Sequence, residues 1–222
     1  MIRSIRSAFL GTLALLVTGA ALAGPAIAGS PVGCSGVPDP RFSTVPSCLN
    51  TCPAGDLGFT VTIRDVSNAP LCGTTVVLSP VGCPGQVTLL CADCPELSGY
   101  DSVNKTFTRV TDANGQATFR LCGTVYCPGG GLNWVQVSAS GVVLANATFL
   151  TTDPDHDLDV DAADVALVTA ALGAVNHPAD QDCNHVITAA DVAAVSAHAG
   201  HHCSGAVPTL PRSWGMLKAG YR

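Results

Sequence analysis

The sequence predicts a mainly β N-terminal block built as a sandwich, followed by a small all-α C-terminal domain. Three observations carry that expectation. Short alternating runs punctuated by turn residues fill the stretch from Asp56 to Thr151, the composition turns acidic abruptly at Asp153, and the acidic part repeats itself after 27 residues.

The chain has 222 residues, 47% hydrophobic and 12% charged, which suits a packed globule and excludes a disordered acidic tail. Residues 1–28 read as an export signal: Arg3 and Arg6 precede an apolar run from Ala8 into Ala23, and Ala26-Ile27-Ala28 fits the small-x-small cleavage rule. Retained uncleaved, the same segment would be an anchor. Its removal leaves about 194 residues and takes the formal charge from −6 to −8, which argues against a nucleic-acid partner. No later stretch approaches the roughly 20 apolar residues of a membrane span.

Residues 29–55 form a cysteine-containing N-terminal segment ahead of the β block. Eleven cysteines in an exported chain imply disulfides. Nine of them (Cys34, Cys48, Cys52, Cys72, Cys83, Cys91, Cys94, Cys122, Cys127) precede the acidic part, so they cannot all pair among themselves. The last two, Cys183 and Cys203, are expected to bridge each other. Cys91-Ala92-Asp93-Cys94 has a redox-pair spacing, and Cys91, Cys94, Cys122 and Cys127 have one a zinc ion uses, although structural bridges explain both.

In residues 56–151, Phe59 to Ile63 alternates, Thr74 to Leu78 is β-branched, and Gln136-Val137-Ser138 belongs to another alternating run. Turn signals fall at Asn68-Ala69-Pro70, Ala113-Asn114-Gly115 and Ser140-Gly141, with Asn-Gly the strongest hairpin cue. The phrases Val61-Thr62-Ile63-Arg64-Asp65, Thr74-Thr75-Val76-Val77-Leu78 and Thr111-Asp112-Ala113-Asn114-Gly115-Gln116-Ala117-Thr118-Phe119 resemble the bacterial Ig-like repeats of invasin-type surface proteins. That resemblance implies a spacer, adhesion or display module and carries over no catalytic residue. The cysteine load, including the insertion at residues 83–94, departs from the family pattern.

Nine of the sixteen acids lie between Asp153 and Asp191, and no Lys or Arg occurs between Arg120 and Arg212. Such a concentration repels itself unless something neutralises it. Residues 153–164 and 180–191 superpose as two 12-residue loops, each followed by an apolar helical stretch ending at Gly173 or Gly200. Oxygen ligands at positions 1, 3, 5, 7, 9 and 12 are the spacing that wraps calcium. The first loop supplies Asp153, Asp155, Asp157, the Asp159 carbonyl, Asp161 through water, and Asp164. The second supplies Asp180, Asp182, Asn184, the Val186 carbonyl, Thr188 and Asp191, so two ions are expected. At position 8 of each loop, Val160 and Ile187 are suited to a small contact between the paired loops. Without a ligand role, Asp164 and Asp191 would serve as helix N-caps.

Aspartate at position 12 and one helix per repeat resemble a type I dockerin over residues 152–203. The resemblance implies a calcium-dependent docking unit and a protein partner. Two departures stand out. Position 6, usually glycine, holds Leu158 and His185, and the positions before the last ligand hold Ala162-Ala163 and Ala189-Ala190 in place of the hydroxyls that bond a cohesin. A cellulosomal cohesin is therefore not the expected partner. An apolar face from Val165, Leu167, Val168, Leu172, Val192 and Val195 remains for recognition, less whatever the unit's own core takes.

His198, His201 and His202 beside Cys203 read as solvated helix-end residues or, alternatively, as transition-metal ligands. The tail 204–222 carries Trp214, Lys218, Tyr221 and Arg222 and no wall-sorting stretch. The expected function is a secreted calcium-binding docking or display protein. The alternative is an accessory, non-catalytic component of extracellular polysaccharide breakdown that touches glycan. No enzyme is expected, and a hydrolase is the third, disfavoured reading, because the β block lacks histidine and any recognisable carboxylate pair.

Overall fold

The computed structural model describes residues 34–83, 85–128 and 133–203; the expected export segment 1–28 and the tail 204–222 lie outside the described residues. Ten strands precede two helices: β1 (Cys48–Thr51), β2 (Phe59–Thr62), β3 (Thr75–Pro80), β4 (Val87–Leu90), β5 (Tyr100–Asp101), β6 (Thr106–Val110), β7 (Gln116–Phe119), β8 (Gly123–Tyr126), β9 (Asn133–Ala139), β10 (Val142–Thr151), α1 (Ala162–Ala170) and α2 (Ala189–Ala197). A short 3-10 turn, Pro95–Gly99, sits before β5.

One curled, half-barrel sheet of six strands runs β1-β10-β9-β3-β6-β5, and two ribbons, β2-β7 and β4-β8, complete the β structure. Strand alternation decides which face is dry. In β9, Val135, Val137 and Ala139 are buried while Trp134 is exposed, and in β2 Phe59 and Val61 point inward between two half-buried threonines. The inward faces of the sheet and of both ribbons meet in one core containing Leu49, Leu78, Phe107, Val137 and Phe149 from the sheet and Phe59, Phe119, Leu90 and Val125 from the ribbons. Phe59 and Phe119 stack at 5.4 Å within the first ribbon.

The expectation of a sandwich with a separate all-α domain is corrected. The helices are short, nine residues each, and the apolar residues between them do not close a core by themselves. Val160, Val168, Ala179, Ile187 and Val195 pack together with Cys52, just after β1, and with Leu57, so residues of the β unit complete the helix pair's core. No linker intervenes either: β10 ends at Thr151 and the first acidic residue of the repeat is Asp153. Two apolar stripes of mainly Ala and Val offer too little surface to stand alone, and the β unit supplies the rest.

The cysteine framework is also corrected. Five disulfides join Cys34–Cys72, Cys48–Cys183, Cys83–Cys127, Cys91–Cys203 and Cys94–Cys122, with Cα separations of 5.0 to 6.3 Å. Cys183 and Cys203 therefore reach back to β1 and to the end of β4 instead of bridging each other. The Cys91/Cys94 pair and the four-cysteine zinc arrangement disappear with them, since Cys91 bonds Cys203, Cys127 bonds Cys83, and Cys94 and Cys122 bond each other. Cys52 is the free cysteine and is buried. Burial pushes its thiol up to about 11, which suppresses the thiolate that would exchange with neighbouring bridges.

Of the turn signals, Ser140-Gly141 joins the true hairpin β9-β10 with both residues at positive φ (46° and 81°). Asn114-Gly115 also turns the chain, with Gly115 at φ 74° and the Asp112 carboxylate accepting from the Asn114 and Gln116 N–H groups. It makes no hairpin, however. β6 pairs with β3 and β5, whereas β7 pairs with β2, so this turn carries the chain from the sheet to a ribbon.

Glu96, only 2% exposed, accepts from the Arg120 N–H (2.6 Å) and from Arg109 Nη2 (2.9 Å), tying the 3-10 turn to β6 and to the segment entering β8. Glu96→Ala should destabilise the protein by about 2 kcal/mol, because it removes a buried carboxylate and orphans a part-buried backbone N–H and a partly buried guanidinium. A shift of the urea midpoint at unchanged slope is the expected readout, and an unmoved midpoint would contradict it.

Candidate metal-binding loops

Both acidic loops fold the same way, and the cause is local. Leu158 and His185 at position 6 take positive φ (75° and 71°), as do His156 and Cys183 at position 4 (66° and 61°). The left-handed region costs an L-residue about 1 kcal/mol, so both loops hold a turn that glycine would make more easily. Carboxylate acceptors repay that cost. Asp153 takes the N–H groups of His156 (2.7 Å) and Leu158 (3.1 Å), and Asp180 takes that of His185 (2.7 Å).

Each loop then runs into a capped helix. Asp161 and Thr188 are the N-caps, accepting from Ala163 (2.6 Å) and Ala190 (3.2 Å), and Asp164 and Asp191 at the third helical position reach back to the cap N–H at 2.8 Å. The expectation that Asp164 and Asp191 themselves would act as N-caps in the absence of a ligand role is thus shifted by three residues. The signal was present as Asp-x-x-Asp and Thr-x-x-Asp, a capping box in which aspartate stands for glutamate.

The carboxylates converge as three groups, each with ligand oxygens within 4.8 Å of one another: Asp153, Asp155 and Asp164; Asp159, Asp161 and Asp164; and Asp180, Asp182 and Asp191. Asp157 stands outside these groups and accepts from the Asp159 N–H at 3.1 Å. Asn184 is held against Asp182 by its side-chain amide at 3.0 Å. The Thr188 hydroxyl donates to Asp191 Oδ2 at 3.0 Å, and Val186 pairs with Val175 across an isolated bridge.

Electrostatics follow from this crowding. Burial pushes Asp164 up to about 6, against the N–H groups of Asp161 and Asp155 that favour its charged form, and the charges of Asp155 and Asp157 add to the rise. Burial likewise raises Asp153, with the Asp164 charge adding, and raises Asp180. Asp191 goes the other way: burial is outweighed by the donors of Thr188, Asp182 and Gln181, and its carboxyl sits below the usual value. Asp180 Oδ1 is buried with no hydrogen-bond partner. Asp180 groups with Asp182 and Asp191, and its unpaired buried carboxylate oxygen is what a cation would satisfy, so the donor set fits a hard, oxygen-loving ion.

The loops interlock with the opposite helix ends. Val160 exchanges backbone hydrogen bonds with Gly200 and His201 (2.7 Å each), and Ile187 does so with Gly173 and Ala174 (2.9 and 2.8 Å), while both side chains enter the shared core. Of the apolar residues proposed for recognition, Val168 and Val195 are buried in that core and Val165 and Val192 pack against it. Leu167 and Leu172 remain exposed.

The β unit grips the first loop directly: the His156 ring stacks on Tyr126 at 4.0 Å and its Nδ1 lies 3.1 Å from Thr124 Oγ1. His198 and His201 are half-buried and point toward Asp56, whereas His202 is exposed. Among the described residues no helix is long and apolar enough to cross a membrane. No family model matches the chain, and comparison with curated proteins and with solved structures likewise finds no match.

Proposed function

We propose that the protein is an exported, calcium-dependent attachment protein in which the repeat pair docks and the cross-braced β unit is what it displays. The observation that carries this reading is the repetition itself: two loops place aspartates at the same three relative positions, 1, 3 and 12, around one point. Calcium is favoured over magnesium because the candidate ligands are many, mixed between side chain and carbonyl, and set on an irregular loop. Bound calcium would neutralise a cluster that has no Lys or Arg within its own stretch of chain.

Five disulfides favour an oxidising, extracellular destination. The docking face would centre on exposed Leu167 and Leu172, with the alanine pairs replacing the hydroxyls a cohesin needs. The partner is accordingly a protein read by apolar shape, from the producing cell's own envelope or matrix.

Calorimetry on the intact, oxidised protein tests the reading. Two calcium ions are expected, and Asp155→Ala and Asp182→Ala should each remove one. Retention of both ions in either variant, or indifference of the wild-type protein to calcium, would overturn the assignment.

A further inference from the structure

A second cluster of ligating side chains lies apart from both acidic loops. Cys52 Sγ, Asp56 Oδ2, His198 Nδ1 and His201 Nδ1 all lie within 4.8 Å of one another. The separate distances are 3.1 Å from His198 to Asp56, 3.3 Å from His201 to Asp56, 3.2 Å between the two imidazole nitrogens and 3.6 Å from His201 to Cys52. Tetrahedral zinc, with bonds of about 2.0–2.3 Å, spaces its ligand atoms roughly 3.3–3.7 Å apart.

Local structure builds this convergence from both sides. After β1, the chain turns tightly through Gly55 at φ 66°, with the Gly55 N–H on the Cys52 carbonyl at 2.9 Å, and so returns Asp56 beside Cys52. His198 is the C-cap of α2, and Gly200 at φ 92° turns the chain so that the His201 N–H reaches the His198 carbonyl at 2.9 Å. The residue spacing 198/201 thereby presents two imidazoles to one point at a helix C-terminus, which favours a cation. Cys52 is completely buried there, and it is the cysteine left without a disulfide when the other ten have paired.

Without an ion the arrangement is awkward. Two Nδ1 atoms face each other and the same carboxylate oxygen, and only one proton fits between the two nitrogens. A dication resolves both contacts, and thiolate plus carboxylate balance its charge.

We propose that Cys52, Asp56, His198 and His201 form a zinc site that clamps the end of the last helix to the segment following the first strand. Sulfur and nitrogen donors suit zinc and are poor ligands for calcium, so this centre is chemically distinct from the acidic loops and independent of the docking reading. On binding, the thiol proton leaves to solvent and zinc–sulfur, zinc–oxygen and two zinc–nitrogen bonds form, with no change of oxidation state.

The test uses the full oxidised chain, stripped of metal and then saturated with calcium so that the loops are filled. Cobalt(II) should give the intense visible bands of a tetrahedral site together with a thiolate charge-transfer band. Cys52→Ser, which is nearly isosteric, should abolish the charge-transfer band. His201→Ala, at a partly exposed position, should weaken zinc binding by ~100-fold in a chelator competition. Asp155→Ala should leave both signals intact. Weak octahedral bands without thiolate character would overturn the proposal, as would zinc affinity unchanged in His198→Ala and His201→Ala.

Discussion

Asp164→Asn should stabilise the metal-free protein at pH about 7 and, in the same molecule, abolish the share of stabilisation that calcium bound in the first loop, as proposed, would give. The first effect follows from burial. Asp164 is fully buried among like charges and its carboxyl rises to about 6, so holding it ionised at neutral pH opposes folding. A group whose folded pKa exceeds its unfolded value of about 3.9 contributes stability that is complete below the unfolded value and is lost as pH climbs through the folded one. Between pH about 4 and 7 the metal-free protein should therefore lose up to about 3 kcal/mol through this residue. Burial of Asp153 and Asp180 acts in the same direction.

Two groups oppose this trend. His156 and His177 are pushed down by burial, and a depressed histidine is stabilising above its unfolded pKa and loses that contribution on acidification. Asp191, held low by its donors, matters only below pH about 4. The asparagine variant separates these contributions. Its carboxamide oxygen can keep the Asp161 N–H at 2.8 Å, and its NH₂, which cannot accept, gives up the weaker 3.4 Å contact from the Asp155 N–H while donating toward the carboxylates of Asp153 and Asp155. A gain of about 1–2 kcal/mol at pH about 7, vanishing near pH about 4, is expected from scanning calorimetry of metal-free protein. In saturating calcium the order should invert, because position 12 has lost its charge. A variant less stable than wild type without metal at neutral pH would show that Asp164 is held by its donors more than it is strained by its neighbours.

The grouping of aspartates in the two 12-residue loops was legible because each set is local, with every aspartate within 11 residues of its partners. The strands β2 and β3 and the β9-β10 hairpin were legible for the same reason: alternation and turn chemistry are properties of neighbouring residues. Pairing is not. Asn114-Gly115 announces a turn without saying that the strands on either side join different layers. Cys48-Leu49-Asn50-Thr51 carries no alternation strong enough to be called a strand, and its parallel pairing with Thr148–Thr151 is decided about a hundred residues downstream. The cluster of Cys52 and Asp56 with His198 and His201 had only its histidine half visible, since its other half lies 142 or more residues earlier. A separate all-α domain was expected because the repeat looks self-contained. The structure shows that its core borrows Cys52 and Leu57, which no composition boundary can reveal.

The cross-braces between the repeat and the β unit give the second large effect. Cys91→Ala/Cys203→Ala removes a bridge spanning 112 residues, and Cys48→Ala/Cys183→Ala removes one spanning 135. Loop-closure entropy makes bridges of this length worth about 3–5 kcal/mol each, against roughly 3 for the local Cys183–Cys203 bridge that the sequence suggested. The two losses should also differ in kind. Cys183 is position 4 of the second loop and sits at positive φ, so freeing it from Cys48 releases the loop whose Asp180 carries the orphaned oxygen. Calcium affinity of that one site should fall together with stability. Cys203 follows the last helix, and freeing it from Cys91 should spare the second proposed calcium site while loosening the helix end beside His198 and His201, to which the first loop is tied through Val160 and Leu158. Denaturation midpoints and two-site calorimetry on both double variants measure this contrast, and peptide mapping of the oxidised wild type checks its premise. Recovery of a 183–203 crosslink would overturn the framework, and equal loss of calcium affinity in both variants would show that the repeat responds to the bridges as a single unit.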